Sequence, residues 1–468
     1  MASVDFAELK SELKSSTLLL PSDEGYDQSI KRWSEGAVRK AAAVALVQSS
    51  EDISIAVKFA VKHNVEVAVH GGGHATSGSS SVEGGLVIDL SRMRGVTVDP
   101  ATKTVLVQGG ALWSDVDAAT ADHGLAVVAG TVNHTGVGGL TLGGGFGWLS
   151  SKHGLTVDNL NYVTMVLADG RIVTASPDEN PDLFWAVRGA GSSFGVAVDF
   201  SFRAHPAPKV YTAGFLVFTL DKLDEVVDFV NYFHKELLDE NCAMFFGMSA
   251  PPPAKTPLVL TPITFNGTKA EAEEKYAKLL ALGPVMNSVT EMPYHELNGF
   301  LNKGLEHGNR RATHGSSVEM PLDKGLIHQV RDSFAQFVKD NENTNESIIL
   351  FEITYQNKVC EVPLTETATV MRTQNMNAGI LTKWYDSSLD TAVRDWARGL
   401  GKLIKEVGNP NSSYTAYANY SYLESRSRDL FGVNYDRLVE LKKKYDPENV
   451  FHSWHDLSGK QDEKQFSS

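Results

Sequence analysis

Residues 130–160 read GTVNHTGVGGLTLGGGFGWLSSKHGLTVDNL, and glycine occupies eight of the first eighteen positions. A second glycine loop, HGGGHATSG at 70–78, follows the strand-type stretch EVAV at 66–69. Because glycine has no β-carbon, it admits positive φ and lets backbone approach a ligand closely. Successive backbone N–H groups in such a loop can hold a phosphate. One loop alone would favour tight turns in a β-rich domain, but two favour a long cofactor with a pyrophosphate.

Neither loop has the pattern of the common nucleotide-binding motifs. GGGFG at 143–147 does not join a strand to a helix with an acidic residue about twenty positions later. The sequence contains no GxxxxGK[ST]. The two loops therefore argue against a nicotinamide dehydrogenase and against a P-loop enzyme.

The composition is that of an ordinary globular protein of two domains, with 468 residues, 42% hydrophobic and 21% charged. The net charge of −14 would repel nucleic acid and an anionic membrane surface. No run of 18 apolar residues occurs, and the first sixteen residues carry charges where a secretory signal needs an apolar core. We therefore expect a cytoplasmic protein without nucleic-acid or membrane partners, and its oligomeric state stays open.

Short β-type segments surround the glycine loops. Residues 41–70 predict strand, helix and strand, and VTMVLADGRIVTAS at 163–176 predicts a hairpin with Asp169-Gly170 at its turn. After Pro206 glycine becomes rarer, and strands such as LVLTPITF and SIILFEITY alternate with helical stretches. This change in composition indicates an inserted α+β domain.

The two cysteines, Cys242 and Cys360, lie in apolar surroundings without CxxC spacing. This setting favours buried thiols over a redox pair, a disulfide or metal ligands. We predict no metal site.

Three segments together carry a family resemblance: VAVHGGGHATSG at 67–78, residues 130–160, and DLFWAVRGAGSSFGVAVDFSFRAHP at 182–206. They resemble the PCMH-type FAD-binding domain of the vanillyl-alcohol-oxidase superfamily. The segment NYDRLVELKKKYDPENVF at 434–451 resembles the closing motif of its berberine-bridge-enzyme-like branch, which includes hydroxynicotine and oligosaccharide oxidases.

The resemblance implies an α+β fold with a two-part FAD-binding domain at 1–206 and 408–468. A substrate domain at 207–407, an antiparallel sheet backed by helices, is inserted between the two parts. The change in composition at Pro206 gives the same first boundary.

The resemblance also implies that His74 is bonded to the 8α methyl carbon of FAD. Its alternative role is that of a hydrogen-bonding loop residue. His70 takes a place where the family often has arginine. Val132 takes the place of a cysteine that forms a second flavin bond in many relatives, so a single bond is expected. His134 is expected to be a pocket or loop residue.

The other cofactor-binding residues that the resemblance implies lie in the same segments and near the C-terminus. They are Gly71, Gly72, Gly73, Ser77, Gly78, Gly130, Thr131, Gly138, Gly139, Gly143, Gly144, Gly147, Val157, Gly195, Val196 and Asn419.

Tyr420 in YTAYANYSY matches the tyrosine that acts as a base in sugar-oxidising relatives, a role that a tyrosine with a lowered pKa can serve. Its alternative is a buried aromatic in an amphipathic strand. Arg372 matches a frequent arginine of the family and is expected to be structural.

The strand LFEITYQN at 350–357 is expected to border the active site on one face. Alternation puts Glu352, Thr354 and Gln356 on one face and Phe351, Ile353 and Tyr355 on the other, and leaves the active face undecided. Gln356-Asn357 replaces a GG pair of the family, so substrate contacts cannot be carried over.

The sequence thus predicts an FAD-dependent oxidase that takes a hydride from a small organic substrate such as an alcohol, amine, carbohydrate or secondary metabolite. Molecular oxygen is the expected acceptor. Two alternatives remain: a flavin-containing binding protein with little chemistry, and a dehydrogenase with another acceptor. Thr135 lies where relatives often have a small aliphatic residue near the oxygen path.

Overall fold

The computed structural model describes residues 4–252, 256–341, 343–421 and 426–459. The strands are β1 Thr17–Leu19, β2 Ala43–Leu46, β3 Val67–His70, β4 Leu86–Asp89, β5 Val96–Asp99, β6 Thr104–Gln108, β7 Leu125–Ala126, β8 Leu160–Val166, β9 Ile172–Ala175, β10 Val196–Arg203, β11 His205–Pro206, β12 Tyr211–Phe218, β13 Cys242–Ser249, β14 Leu258–Phe265, β15 Met286–Asn287, β16 Thr290–Met292, β17 Arg310–Val318, β18 Ile348–Thr354 and β19 Met376–Trp384.

The helices are α1 Ala7–Glu12, α2 Tyr26–Ser29, α3 Ser50–His63, α4 Trp113–Ala121, α5 Val137–Leu142, α6 Ser150–His153, α7 Pro181–Ala190, α8 Leu223–Tyr232, α9 Lys269–Lys275, α10 Ala277–Leu280, α11 Tyr294–Leu297, α12 Lys324–Asp340, α13 Asn357–Cys360, α14 Asp390–Gly408, α15 Ser427–Phe431 and α16 Tyr435–Tyr445. In the described ranges, each helix is too short or too polar to cross a membrane.

Two sheets form the N-terminal part. The first has the order β1-β2-β4-β3, and the second is antiparallel with the order β5-β6-β10-β8-β9. The predicted strand, helix and strand at 41–70 are confirmed as β2, α3 and β3, and the Ser49 hydroxyl caps α3 by accepting from the N–H of Asp52. The predicted hairpin is β8 and β9, and Gly170 has a φ of 79° at its turn.

An antiparallel sheet of residues 211–384 forms the middle of the chain, with the order β15-β12-β14-β13-β18-β19-β17 and β16 beside β12. One face packs on α8, α12 and α14 through a core that includes Phe246, Phe351 and Ile380. The other face meets the glycine-rich segment, where Phe245 stacks on Trp148. The predicted α+β fold with an antiparallel sheet backed by helices is confirmed.

The segment YTAYANYSY does not form the amphipathic strand that was the alternative for Tyr420. Ala418–Tyr420 is a short 3-10 helix, and Tyr422 lies outside the described residues. The C-terminal residues 460–468 also lie outside them.

Candidate active site

A large cavity lies between the two glycine loops and the face of the large sheet opposite α8, α12 and α14. Many of the predicted site residues line it: Gly71, Gly72, Gly73, His74, Ser77, Gly130, Thr131, Gly138, Gly139, Gly195, Asn419 and Tyr420. The cavity therefore brings together residues from both predicted parts of the cofactor domain.

The two glycine loops touch each other where both chains carry glycine. A β-carbon added to Gly72 would lie 2.4 Å from the backbone N and Cα of Gly136. Any side chain at either position would separate the loops. The glycines thus let two segments that are distant in sequence form one wall of the cavity.

Gly139 shows that this wall suits a closely bound ligand. It lines the cavity, and a β-carbon added there would meet no protein atom within 4 Å. Packing within the described chain therefore does not require glycine at 139, whereas close approach of a cofactor to the backbone does. The wall fits a long cofactor such as FAD.

The other predicted cofactor residues lie outside the cavity lining, and four of them have visible supporting roles. His70 Nδ1 is 2.8 Å from the Asp89 carboxylate, which holds the end of β3 against β4. Gly143 packs on the Asn419 side chain, and the N–H of Val157 donates to the carbonyl of Gly144. The residues outside the lining are His70, Gly78, Gly143, Gly144, Gly147, Val157 and Val196.

Several lining residues were missed from the sequence because no local motif marks them. Trp33 comes from the N-terminal segment, and Thr313 and Leu381 come from β17 and β19. Leu301 and Leu305 come from the segment between α11 and β17. Only tertiary structure brings these residues to the cavity.

His74 lies in the cavity wall within an aromatic cluster. Its ring stacks on Trp33, with centroids 4.5 Å apart and an interplanar angle of 13°. Its Nε2 is 2.7 Å from Nδ1 of His134, and the ring of His307 lies edge-on at 5.9 Å. Burial, with contributions from the two histidines and Arg311, holds the pKa of His74 well below its usual range. The imidazole is therefore neutral, which is the nucleophilic form.

The spacing of His74 and His134 is that of a hydrogen bond rather than that of two ligands to one zinc ion. One nitrogen from each of His74, His134 and His307 lies within 4.8 Å of the others. The 2.7 Å between His74 and His134 is shorter than the separation of about 3.3 Å that two imidazole ligands have around tetrahedral zinc.

Glu352 and Tyr420 form a hydrogen-bonded pair in the cavity wall, where the Tyr420 hydroxyl donates to Glu352 Oε1 at 2.8 Å. Glu352 is only 3% exposed, and burial raises its pKa to about 7 although the bond from Tyr420 opposes the rise. Burial and the neighbouring carboxylate raise the pKa of Tyr420 well above its usual value. A tyrosine with a lowered pKa is thus not present at this position, and Glu352 is the member of the pair whose pKa lies near neutrality.

This pair identifies which face of β18 borders the cavity. Leu350 and Glu352 line it, whereas Phe351 and Ile353 lie in the core under the helices. Gln356 lies beyond the strand and donates to the Thr354 hydroxyl at 2.6 Å.

Arg372 and the cysteines lie away from the cavity lining. The side chain of Arg372 is 1% exposed, and its guanidinium donates to both carboxylate oxygens of Asp158 at 2.7 Å, as expected for a structural residue. Among the described residues, Cys242 and Cys360 are free thiols, and burial raises the pKa of Cys242 to about 11.

Comparison with known proteins gives the family of this chain. Family models described as "FAD binding domain" and "Berberine and berberine like" match residues 41–176 and 416–455. The FAD-linked oxidoreductase pgmH of Aspergillus terreus is 35% identical over 96% of this chain and 95% of its own.

A hydroxynicotine oxidase is similar in both sequence and structure. The (R)-6-hydroxynicotine oxidase of Paenarthrobacter nicotinovorans is 27% identical over 93% of this chain and 94% of its own. The crystal structure of 6-hydroxy-D-nicotine oxidase from Arthrobacter nicotinovorans superimposes with a TM-score of 0.79, at 25% identity over 95% of this chain and 98% of that chain. The chain is an FAD-dependent oxidoreductase and belongs to the berberine-bridge-enzyme-like family of FAD-linked oxidases.

Proposed function

We propose that this chain holds FAD through a single covalent bond from His74 and oxidises a small, largely apolar molecule that carries a hydroxyl or amine. The observation that carries the proposal is the Glu352–Tyr420 pair, which lines the same cavity as His74. When bound, FAD supplies the acceptor for a hydride and passes the electrons on to molecular oxygen.

His74 is suited to hold the flavin. Its ring is neutral, and Nε2 is hydrogen-bonded to His134, which leaves Nδ1 to form the bond. Val132 also lines the cavity, but its side chain cannot form a thioether, which supports a single bond.

Glu352 and Tyr420 are suited to take the proton that leaves the substrate. A substrate hydroxyl or amine next to Tyr420 can transfer its proton to the phenol oxygen while the phenol proton moves to Glu352 Oε1. Loss of this proton makes the neighbouring C–H bond a better hydride donor. The carboxylate must be ionised first, so its pKa of about 7 sets the pH at which the pair works.

The walls of the cavity favour an apolar substrate. Phe245, Leu301, Leu305, Leu350 and Leu381 line it, and among the described residues no lysine or arginine does. Such walls can bury a flat hydrocarbon ring but offer few partners to the many hydroxyl groups of a sugar. They also offer no cation to a carboxylate substrate.

The test is a screen of neutral hydroxyaromatics and amines for hydrogen peroxide release, followed by anaerobic mixing with each active compound. An oxidase releases peroxide in air and loses the yellow flavin absorption without air. Binding without any loss of absorption would instead support a sequestration protein. Flavin reduction with oxygen reoxidation slower than turnover with a quinone would support a dehydrogenase.

A further inference from the structure

Three histidines from separate parts of the chain meet at the position proposed for flavin attachment. His74 comes from the first glycine loop, His134 from the second, and His307 from the segment before β17. The ring centroids of His74 and His134 are 4.8 Å apart, and those of His134 and His307 are 5.3 Å apart. His307 is exposed, so the three rings connect the cavity wall with solvent.

Among these three histidines, His134 has a ring nitrogen that lacks a hydrogen-bond partner among the described residues. Its Nδ1 is engaged with His74 Nε2 at 2.7 Å, whereas its Nε2 is buried without a hydrogen-bond partner among the described residues. A buried polar atom without a partner is costly, and a role in proton transfer is one reason to retain it.

We propose that His134 accepts the Nε2 proton of His74 as the bond between His74 and the flavin forms, and that His307 passes this proton to solvent. The proposal rests on the proposed covalent attachment at His74. It makes His134 a residue that promotes cofactor attachment rather than substrate oxidation.

The atoms and electrons of this step balance with oxygen as the oxidant. A bond forms between His74 Nδ1 and the flavin's 8α methyl carbon, and one C–H bond of that methyl group breaks. The methyl group loses a proton, His74 loses its Nε2 proton to His134, and the two electrons of the C–H bond reduce the flavin ring. Molecular oxygen then takes these two electrons and two protons as hydrogen peroxide.

The charges around His134 are compatible with a ring that receives a proton and passes it on. Burial, with smaller contributions from His307 and Arg311, lowers the pKa of His134 to about 4, whereas Glu306 and a backbone hydrogen bond oppose the shift. The ring of His134 is therefore neutral before the step. The same surroundings make an alkylated His74 a strong acid, so transfer between two similar imidazoles costs little.

The experiment measures attachment directly, in full-length apoprotein from riboflavin-starved cells to which FAD is added in air. Covalent flavin is followed by fluorescence on denaturing gels and non-covalent FAD binding by fluorescence quenching. His134→Asn keeps an acceptor beside His74 without its basicity, and His134→Ala removes the acceptor. His205→Asn, at a half-buried histidine outside the cavity lining, is the matched control.

We expect attachment about a hundredfold slower in both His134 variants, with FAD binding and the His205→Asn rate unchanged. Free imidazole should accelerate His134→Ala, increasingly as pH rises through 7, and should not affect wild type. Attachment in His134→Asn within twofold of wild type would overturn the proposal, and so would a parallel loss of FAD binding, which indicates a structural role. Wild type that never forms covalent flavin would instead refute the attachment at His74 itself.

Discussion

At the scale of single residues, the proposed chemistry depends on the hydrogen-bonded pair of Glu352 and Tyr420. Resemblance pointed to Tyr420, but alternation along residues 350–357 left undecided which face of this strand borders the active site. The fold decides it, because one face of β18 is covered by helices and the other borders the cavity. The pKa of a buried carboxylate likewise depends on the surroundings that the fold supplies.

Replacing Tyr420 by phenylalanine tests whether its hydroxyl transfers the proton. Tyr420→Phe keeps the ring and removes only the group that bonds Glu352. We expect anaerobic flavin reduction to slow by about a hundredfold to ten-thousandfold while the flavin stays attached. Tyr26→Phe is the control, since this buried tyrosine donates to the Ala41 carbonyl and lies outside the cavity lining. Reduction within a few-fold of wild type would make Tyr420 a packing residue.

The pH dependence of the same half-reaction tests Glu352. Its raised pKa means that the carboxyl is neutral below about 7 and becomes a base above it. Flavin reduction should therefore rise with pH and level off above an apparent pKa near 7. Glu352→Gln should lower the plateau by about a hundredfold and remove this inflection. An unchanged profile in the variant would assign the titration to another group.

At the scale of elements, the sequence predicts those with strong local patterns. The spacing of apolar residues in α3 and the turn between β8 and β9 are local patterns, so both elements can be predicted from the sequence. Strand β13, CAMFFGMS, is buried at every position and shows no alternation. Strand β17, RRATHGSSV, is largely polar, and its pairing with β19 depends on distant residues.

Helices α4 and α11 join the two parts of the molecule through a buried acid. Asp117 in α4 is 3% exposed, and both of its carboxylate oxygens accept from Asn298 Nδ2 at 3.0 Å. Burial raises the pKa of Asp117 to about 7, whereas the Asn298 bonds oppose the rise. Between about pH 4 and 7 the folded state therefore holds a proton that the unfolded state releases, so this contribution to stability declines as pH rises.

The variant Asp117→Asn tests this contribution, because its side chain at position 117 is uncharged at any pH. We expect it to raise the melting temperature at pH 8 by a few degrees relative to wild type and to leave it unchanged near pH 4. Asp122→Asn, at an exposed position after the same helix, alters the net charge equally and should have no such effect. A variant less stable than wild type at pH 8 would show that the ionised acid is favourable. Scanning calorimetry at pH 4 and pH 8 measures the melting temperatures of the wild type and both variants.

At the scale of the whole molecule, the cavity exists because both parts of the chain enclose it. Trp33 Nε1 donates to the Leu305 carbonyl at 2.6 Å, and the Thr76 hydroxyl accepts from the N–H of Thr313 at 3.0 Å. The glycine loops, His74 and Tyr420 could be read from the sequence. The apolar wall could not, because its residues come from segments that meet only in the folded protein.

The most direct test of this account is peptide mapping of the purified protein by tandem mass spectrometry after acid precipitation. We predict one flavin-bearing peptide, with the flavin on His74, and no flavin on the peptide that contains Val132. His74→Ala should release its FAD into the acid supernatant. Complete release of FAD from wild type, or a flavin bonded to Cys242 or Cys360, would contradict the account.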